Sequence, residues 1–207
     1  MNEPSNVAEA ATEMGLRYVV ITSVTRDDLD DGGASQFVRT ITAVRNRLPD
    51  AKVEVLVPDF MGNIRALDSV IRACPDVFNH NIETVSRLYP VVRPMAEYQR
   101  SLSILRYAAE NGMPVKSGFM LGLGETMDEV NGLLEDLIRH GCSMLTIGQY
   151  LRPTLKNLPV VEYIPPEIFE KIRGKALAIG FSFVASGPLV RSSMNAEETY
   201  MKSVKST

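Results

Sequence analysis

Cysteine is the first thing this sequence is short of. Two residues in 207, Cys74 and Cys142, stand far apart in apolar surroundings. That excludes a disulfide framework and a metal site built from cysteines of this chain alone. Both are read as small core residues. Long apolar runs are missing as well. The longest, 18–21 and 53–58, fall far short of the roughly 20 residues of a membrane helix. An excess of either charge is also missing: the formal net charge is −3, which gives no pull towards nucleic acid or anionic lipid. Met1 is followed by Asn, Glu, Pro and Ser, neither a signal peptide nor an arginine-rich transit sequence. Composition therefore predicts a soluble, cytoplasmic protein (mitochondrial or plastid in a eukaryote) with no nucleic-acid or membrane partner. The 45% of hydrophobic residues suffices for a core in one domain.

What is present is an alternation. β-Branched apolar runs at 18–24, 53–59, 77–83, 115–122, 144–150 and 181–187 predict six strands, near-continuous in hydrophobicity as buried parallel strands are. Helix-period stretches lie between them. Phe37, Ile41, Val44 and Leu48 share one face, as do Tyr98, Leu102, Leu105 and Ala109, and Val130, Leu133, Leu134, Leu137 and Ile138. Thr126 and Glu129 form a capping box for the last of these, with Gly141 just past its end. Pro165 and Pro166 open the last expected helix and Gly180 closes it. Val7, Ala10, Ala11 and Met14 predict a helix at the start, ended by Gly15.

Such a β–α alternation fits an open doubly wound sheet or a (β/α) barrel. Nearly every strand ends in polar groups: Thr22, Ser23 and Arg26; Asp59; His80, Asn81 and Glu83; Lys116 and Ser117; Gln149 and Tyr150. In a barrel these converge on one face, whereas an open sheet gathers its polar groups at one switch point. The expectation is an α/β fold, a partial (β/α) TIM-type barrel of about six parallel strands over 1–193, with a C-terminal tail over 194–207. A helix before the first strand implies a missing preceding strand and an exposed edge prone to aggregation.

Individual motifs carry two readings each. The acidic run Asp27-Asp28-Leu29-Asp30-Asp31-Gly32-Gly33 could hold a metal or an amino group, or be a solvated turn capping a helix at Ser35. In the third strand, alternation puts Asn79, Asn81 and Glu83 on one face, which is costly unless they meet one another, water or a ligand. His80 points the other way and reads as a packing histidine. Gly122 and Gly124 could cradle an anion at a helix start, although Glu125 already supplies negative charge there. Lys116, inside a strand, needs a partner or a job. Arg93 could clamp a carboxylate or sit in a surface ion pair.

Together these words resemble the lipoyl synthase family of radical S-adenosylmethionine enzymes. The resemblance rests on Val20-Ile21-Thr22-Ser23-Val24, Arg26-Asp27-Asp28-Leu29 with Asp31-Gly32-Gly33-Ala34, and Glu54-Val55-Leu56-Val57-Pro58-Asp59-Phe60. It continues through Asp76-Val77-Phe78-Asn79-His80-Asn81-Ile82-Glu83-Thr84, Val92-Arg93-Pro94, Lys116-Ser117-Gly118 and Gly122-Leu123-Gly124-Glu125-Thr126. Met144-Leu145-Thr146-Ile147-Gly148-Gln149-Tyr150-Leu151 and Gly187-Pro188-Leu189-Val190-Arg191-Ser192-Ser193 complete it, in order over nearly the whole chain.

The resemblance implies sulfur insertion at C6 and C8 of a protein-bound octanoyl chain to give the lipoyl group, through a 5′-deoxyadenosyl radical from S-adenosylmethionine. It implies two [4Fe–4S] clusters. It also implies an octanoylated lipoyl-carrier domain or protein as partner, with an iron–sulfur cluster donor and a reductant. Ser193 matches the family's cluster-ligating serine. Thr22, Ser23, Asn81, Glu83, Arg93, Lys116 and Gln149 fall where the family contacts S-adenosylmethionine or lines the cavity. Arg93 is expected to hold the methionyl carboxylate, and Asn81 or Glu83 the ribose. Neither of the family's cysteine triplets, C-x-x-x-C-x-x-C and C-x4-C-x5-C, is present. The family's terminal R-S-S-Y reads Arg191-Ser192-Ser193-Met194 here, followed by Asn195. The expectation is an N-terminally truncated fragment starting at an internal or false Met1, inactive by itself. Two alternatives stand beside it: a non-catalytic binding module that keeps the barrel mouth, and an unrelated (β/α) lyase using Lys116 as a Schiff-base amine.

Overall fold

The computed structural model describes residues 2–194 and 196–204; Met1 and Asn195, singled out above, lie outside the described residues. Six strands, β1 (Tyr18–Thr22), β2 (Lys52–Leu56), β3 (Val77–Asn79), β4 (Val115–Leu121), β5 (Met144–Gln149) and β6 (Phe183–Ser186), form one sheet. Every neighbouring pair is parallel and the order is β1-β2-β3-β4-β5-β6. A strand order without reversal has no switch point, so the arrangement is barrel-type rather than doubly wound. Among the described residues β1 and β6 do not pair with each other, so the barrel is partial.

Among the described residues seven α-helices follow or precede these strands: α1 (Glu3–Glu13), α2 (Ala34–Arg47), α3 (Ile64–Arg72), the short α4 (Tyr89–Val92), α5 (Tyr98–Glu110), α6 (Met127–Arg139) and α7 (Pro166–Ala178). Their apolar stripes cover the outer face of the sheet. Phe37, Ile41 and Val44 of α2, Leu102 and Leu105 of α5, and Val130, Leu133 and Leu137 of α6 are all buried in one continuous core. Helix α6 begins with the capping box of Thr126 and Glu129 and is followed by Gly141 at φ +80°. An eighth helix, α8 (Ala196–Val204), occupies the stretch expected to be a tail. It touches both β1 and β6, with the Tyr18 and Tyr200 rings 5.9 Å apart and Arg17 3.2 Å from Glu197. One short helix reaching both sheet edges requires the sheet to curl.

The strands are shorter than the apolar runs suggested, most of all β3, which ends at Asn79 rather than at Glu83. Pairing resumes only as an isolated bridge between Glu83 and Phe119, because Glu83 adopts φ +67°, outside the range of an extended strand. Cys142 is a core residue, but Cys74 is exposed. It sits in the turn after α3 with φ +51°, and the turn carries its side chain away from the core. No helix among the described residues is long and apolar enough to cross a membrane.

Candidate functional site

The inner face of the sheet carries a polar layer. Tyr18 on β1, Glu54 on β2, Asn79 on β3 and Lys116 on β4 point inward from four successive strands. Lys116 Nζ lies 2.9 and 3.2 Å from the two Glu54 carboxylate oxygens. Asn79 Nδ2 donates to Glu54 Oε1 at 2.8 Å and Tyr18 donates to Oε2 at 2.7 Å. Lys116 and Glu54 are essentially sealed from solvent, at 0% and 1% side-chain exposure. The third proton of the ammonium goes to the carbonyl oxygen of Ser192 at 2.7 Å. All three donors of Lys116 are therefore used, leaving no free amine for a Schiff base. Burial and the adjacent Glu54 charge hold the Tyr18 phenol far above its usual range.

One step towards the strand C-termini lies a recess of about 90 Å³ lined by Asn81, Glu83, Gly118, Thr146, Gly148 and the chain after β6, Val190 to Ser192. Asn81 Oδ1 is buried there without a hydrogen-bond partner, the kind of orphaned acceptor that a bound molecule satisfies. Burial pushes the Glu83 carboxyl up from its ordinary value, partly offset by the Arg93 charge and a hydrogen bond from Asn81. Glu83 holds its left-handed backbone without being glycine, a conformation that recurs at binding sites. Gly118 keeps the recess open. A Cβ there would stand 2.5 Å from Thr146 Oγ1 and 3.0 Å from Asn81 Oδ1.

The remaining candidates are placed elsewhere. Arg93 lines a neighbouring recess of about 180 Å³ with Thr25, Asp27, Asp59 and Met95. Its Nη1 donates to the Tyr89 hydroxyl oxygen at 2.9 Å and to the Asn81 carbonyl at 3.1 Å, and its guanidinium lies over the Tyr89 ring. Thr22 and Ser23 line a separate cleft with Glu3, Val7, Gln36 and Phe37, on the α1–α2 side. Gln149 is consumed by the loop that follows it. Its Nε2 donates to the carbonyls of Tyr150 and Glu162, and its Oε1 accepts from Ile164 N. Gly122 makes that packing possible, since a Cβ would fall 2.4 Å from the Glu162 carbonyl. Ser193 sits exposed in the turn directly after Ser192.

Two motifs resolve to local structure. Asp31 accepts from the N–H groups of Gly33 and Ser35 at 2.9 and 2.8 Å and so caps α2, while Arg26 pairs with Asp28. Glu125 accepts from Gly122 N and Leu123 N at 2.6 and 3.0 Å, so the chain's own carboxylate fills that anion cradle. His80 packs against α5, with Nδ1 2.9 Å from the Val57 carbonyl and Nε2 3.0 Å from Ser101 Oγ. The involvement of Val190 to Ser192 in the recess had no signal in the sequence beyond Gly148, whose missing side chain admits the Val190 carbonyl.

Comparison with known proteins follows the same lines. The family model described as the radical SAM superfamily matches residues 1–137. The lipoyl synthase of Caldicellulosiruptor bescii is 54% identical over 200 residues, 96% of this chain and 69% of that protein. That of Rubrobacter xylanophilus is 56% identical, covering 96% of this chain and 62% of that protein, and that of Alkaliphilus metalliredigens 52%, covering 97% and 70%. The chain thus spans about two thirds of the length of these relatives. Among solved structures, methylornithine synthase (PylB) superposes with a TM-score of 0.66 at 15% identity, over 93% of this chain and 64% of that one. Streptococcus suis SuiB bound to S-adenosylmethionine gives 0.66 at 9% identity, over 86% and 40%. These two likenesses concern the fold.

Proposed function

The chain belongs to the radical SAM superfamily and, within it, to the lipoyl synthases, and from that membership we propose that its barrel mouth binds S-adenosylmethionine for sulfur insertion at C6 and C8 of a protein-bound octanoyl chain. The observation that carries the reading is the unpartnered, buried Asn81 Oδ1 beside Glu83 in a recess that Gly118 keeps open. An acceptor and a carboxylate side by side suit vicinal hydroxyls, so the pair is assigned to the ribose. Arg93 stands in the adjoining recess, and among the described residues only its Nη1 has a hydrogen-bond partner. It is assigned to the methionyl carboxylate, which it can clamp with its remaining N–H groups. When bound and cleaved, S-adenosylmethionine supplies the radical chemistry that unactivated C–H bonds require. The protein's part is to bind, orient and shield it.

The residues of this chain do not fit a [4Fe–4S] cluster. Cys74 is exposed beyond α3 and Cys142 is buried before β5. Among the described residues no group of three or more His, Cys, Asp or Glu is placed to hold a metal. Ser193 alone cannot hold a cluster, so no step is assigned through one and these 207 residues by themselves are expected to be inactive. The octanoylated carrier domain is the partner this reading assigns to the open mouth, with the reaction located in the cytoplasm.

Calorimetric titration of the chain with S-adenosylmethionine tests the binding half directly. Asn81→Ala and Glu83→Gln are each expected to weaken binding by about tenfold or more, as loss of a buried polar contact of about 1.4 kcal/mol or greater does. Unchanged affinity in both variants would remove the ribose assignment, and unchanged affinity in Arg93→Ala the carboxylate assignment.

A further inference from the structure

The buried Lys116–Glu54 pair is more elaborate than a core needs. It sits below the recess rather than in it, and a lysine sealed among strands has to find three acceptors. Glu54 provides two, and its other lone pairs are taken by Tyr18 and Asn79. The third acceptor is a backbone carbonyl from outside the sheet, Ser192, at the shortest distance of the three, 2.7 Å.

The chain that brings this carbonyl in runs back across the end of β5. Gly187 N donates to the Ile147 carbonyl and Gln149 N to the Pro188 carbonyl, at 3.0 and 3.3 Å. A Cβ on Gly148 would lie 2.4 Å from the Val190 carbonyl, so the absent side chain lets the segment lie flat on the strand. Residues 190–192 then line the recess together with Asn81 and Glu83. The segment is pinned to β5 at its start and to Lys116 at its far end.

We propose that Lys116, oriented by Glu54, is a positioning residue that holds the 188–193 segment as a strap across the barrel interior, fixing the wall of the recess and the place of Ser193. The strap and the ion pair depend on each other. Without the Ser192 carbonyl one ammonium proton is buried without an acceptor, and without the ammonium the strap loses its inner anchor. The consequence for ligand binding rests on the recess being the S-adenosylmethionine site; the strap itself does not.

The test pairs two readouts on the intact chain. Trypsin cuts after Arg191, inside the strap, and after Lys156, in the exposed loop beyond β5. The double variant Glu54→Gln, Lys116→Met removes both charges together, so no lone charge is left in the core. It is expected to speed cleavage at Arg191 about tenfold or more under native conditions and to leave Lys156 unchanged. Its S-adenosylmethionine affinity is expected to fall several-fold. Lys116→Met alone, which leaves Glu54 charged in the core, is expected to be cleaved faster at both sites but still more so at Arg191 than at Lys156. Equal acceleration at both sites, or none at Arg191, would overturn the proposal. If the unmodified chain binds no S-adenosylmethionine, the ribose assignment fails, while selective cleavage at Arg191 still upholds the strap.

Discussion

His80 Nε2 lies 3.0 Å from Ser101 Oγ, and that pair fixes the direction of a four-residue hydrogen-bond chain. The Val57 carbonyl can only accept, so His80 Nδ1 carries the proton and Nε2 receives the Ser101 hydroxyl. Ser101 Oγ in turn accepts from the Tyr89 hydroxyl at 2.9 Å, and Tyr89 accepts from Arg93 Nη1. The neutral ring is the starting point of the orientation of Arg93.

Burial holds the His80 ring neutral, pushing it down from 6.5 to about 4. Between these values the unfolded state binds more protons than the folded one, so stability is complete above pH 6.5 and falls as pH drops towards 4. The shift corresponds to roughly 3 kcal/mol. Urea midpoints measured across that window are expected to fall in the parent and to be flatter in His80→Asn. Parallel pH profiles for the two proteins would show that another group sets the slope.

Gly118→Ala is expected to abolish measurable S-adenosylmethionine binding and also to lower Tm, as overpacking between two buried strands does. The new methyl would lie 2.5 Å from Thr146 Oγ1 and 3.3 Å from the Thr146 carbonyl on β5, and it projects at Asn81 Oδ1 at 3.0 Å. Calorimetry beside a thermal melt separates the two effects; retained binding would place the ligand elsewhere.

Lys116→Met leaves the Glu54 carboxylate buried without its counter-charge and is expected to cost about 3–5 kcal/mol of folding stability. Adding Glu54→Gln is expected to restore most of that loss. Chemical denaturation of the two singles and the double gives the coupling energy, and additive losses would mean that the pair is not coupled.

Thiol labelling should divide the two cysteines cleanly. Burial pushes the Cys142 thiol up to about 12, whereas Cys74 is exposed. One equivalent of maleimide is expected to react with the native protein and the second only in denaturant. Mass mapping of the labelled peptides assigns each.

The barrel was legible in the sequence because its signals are carried by side chains. Capping by Thr126 and Glu129, the apolar stripes and the six β-branched runs all depend on residue type. Strand alternation singles out Asn81 and Glu83, yet both lie beyond the end of β3 and reach the recess through an irregular, left-handed stretch; Lys116 was legible from the cost of burying an ammonium. What Lys116 binds was not, because a backbone carbonyl has no residue type to announce it and the partner lies 76 positions away. Gln149 has the chemistry of a ligand contact, yet the loop up to Ile164 claims its amide through main-chain groups. The pattern points to a strand running on past Asn79 because Ile82 is apolar and buried, but Glu83 turns left-handed and ends regular pairing.

That separation along the chain also has a meaning in time. A ribosome working at about 5–20 residues per second needs about 4–15 s to travel from Lys116 to Ser192. When Lys116 is made, most of β4 and all of β5 and β6 are still to come, so Glu54 is available but neither the third acceptor nor a closed interior is. Drying of this ammonium waits for the strap, and Lys116 is expected to be among the last interior groups to lose its water.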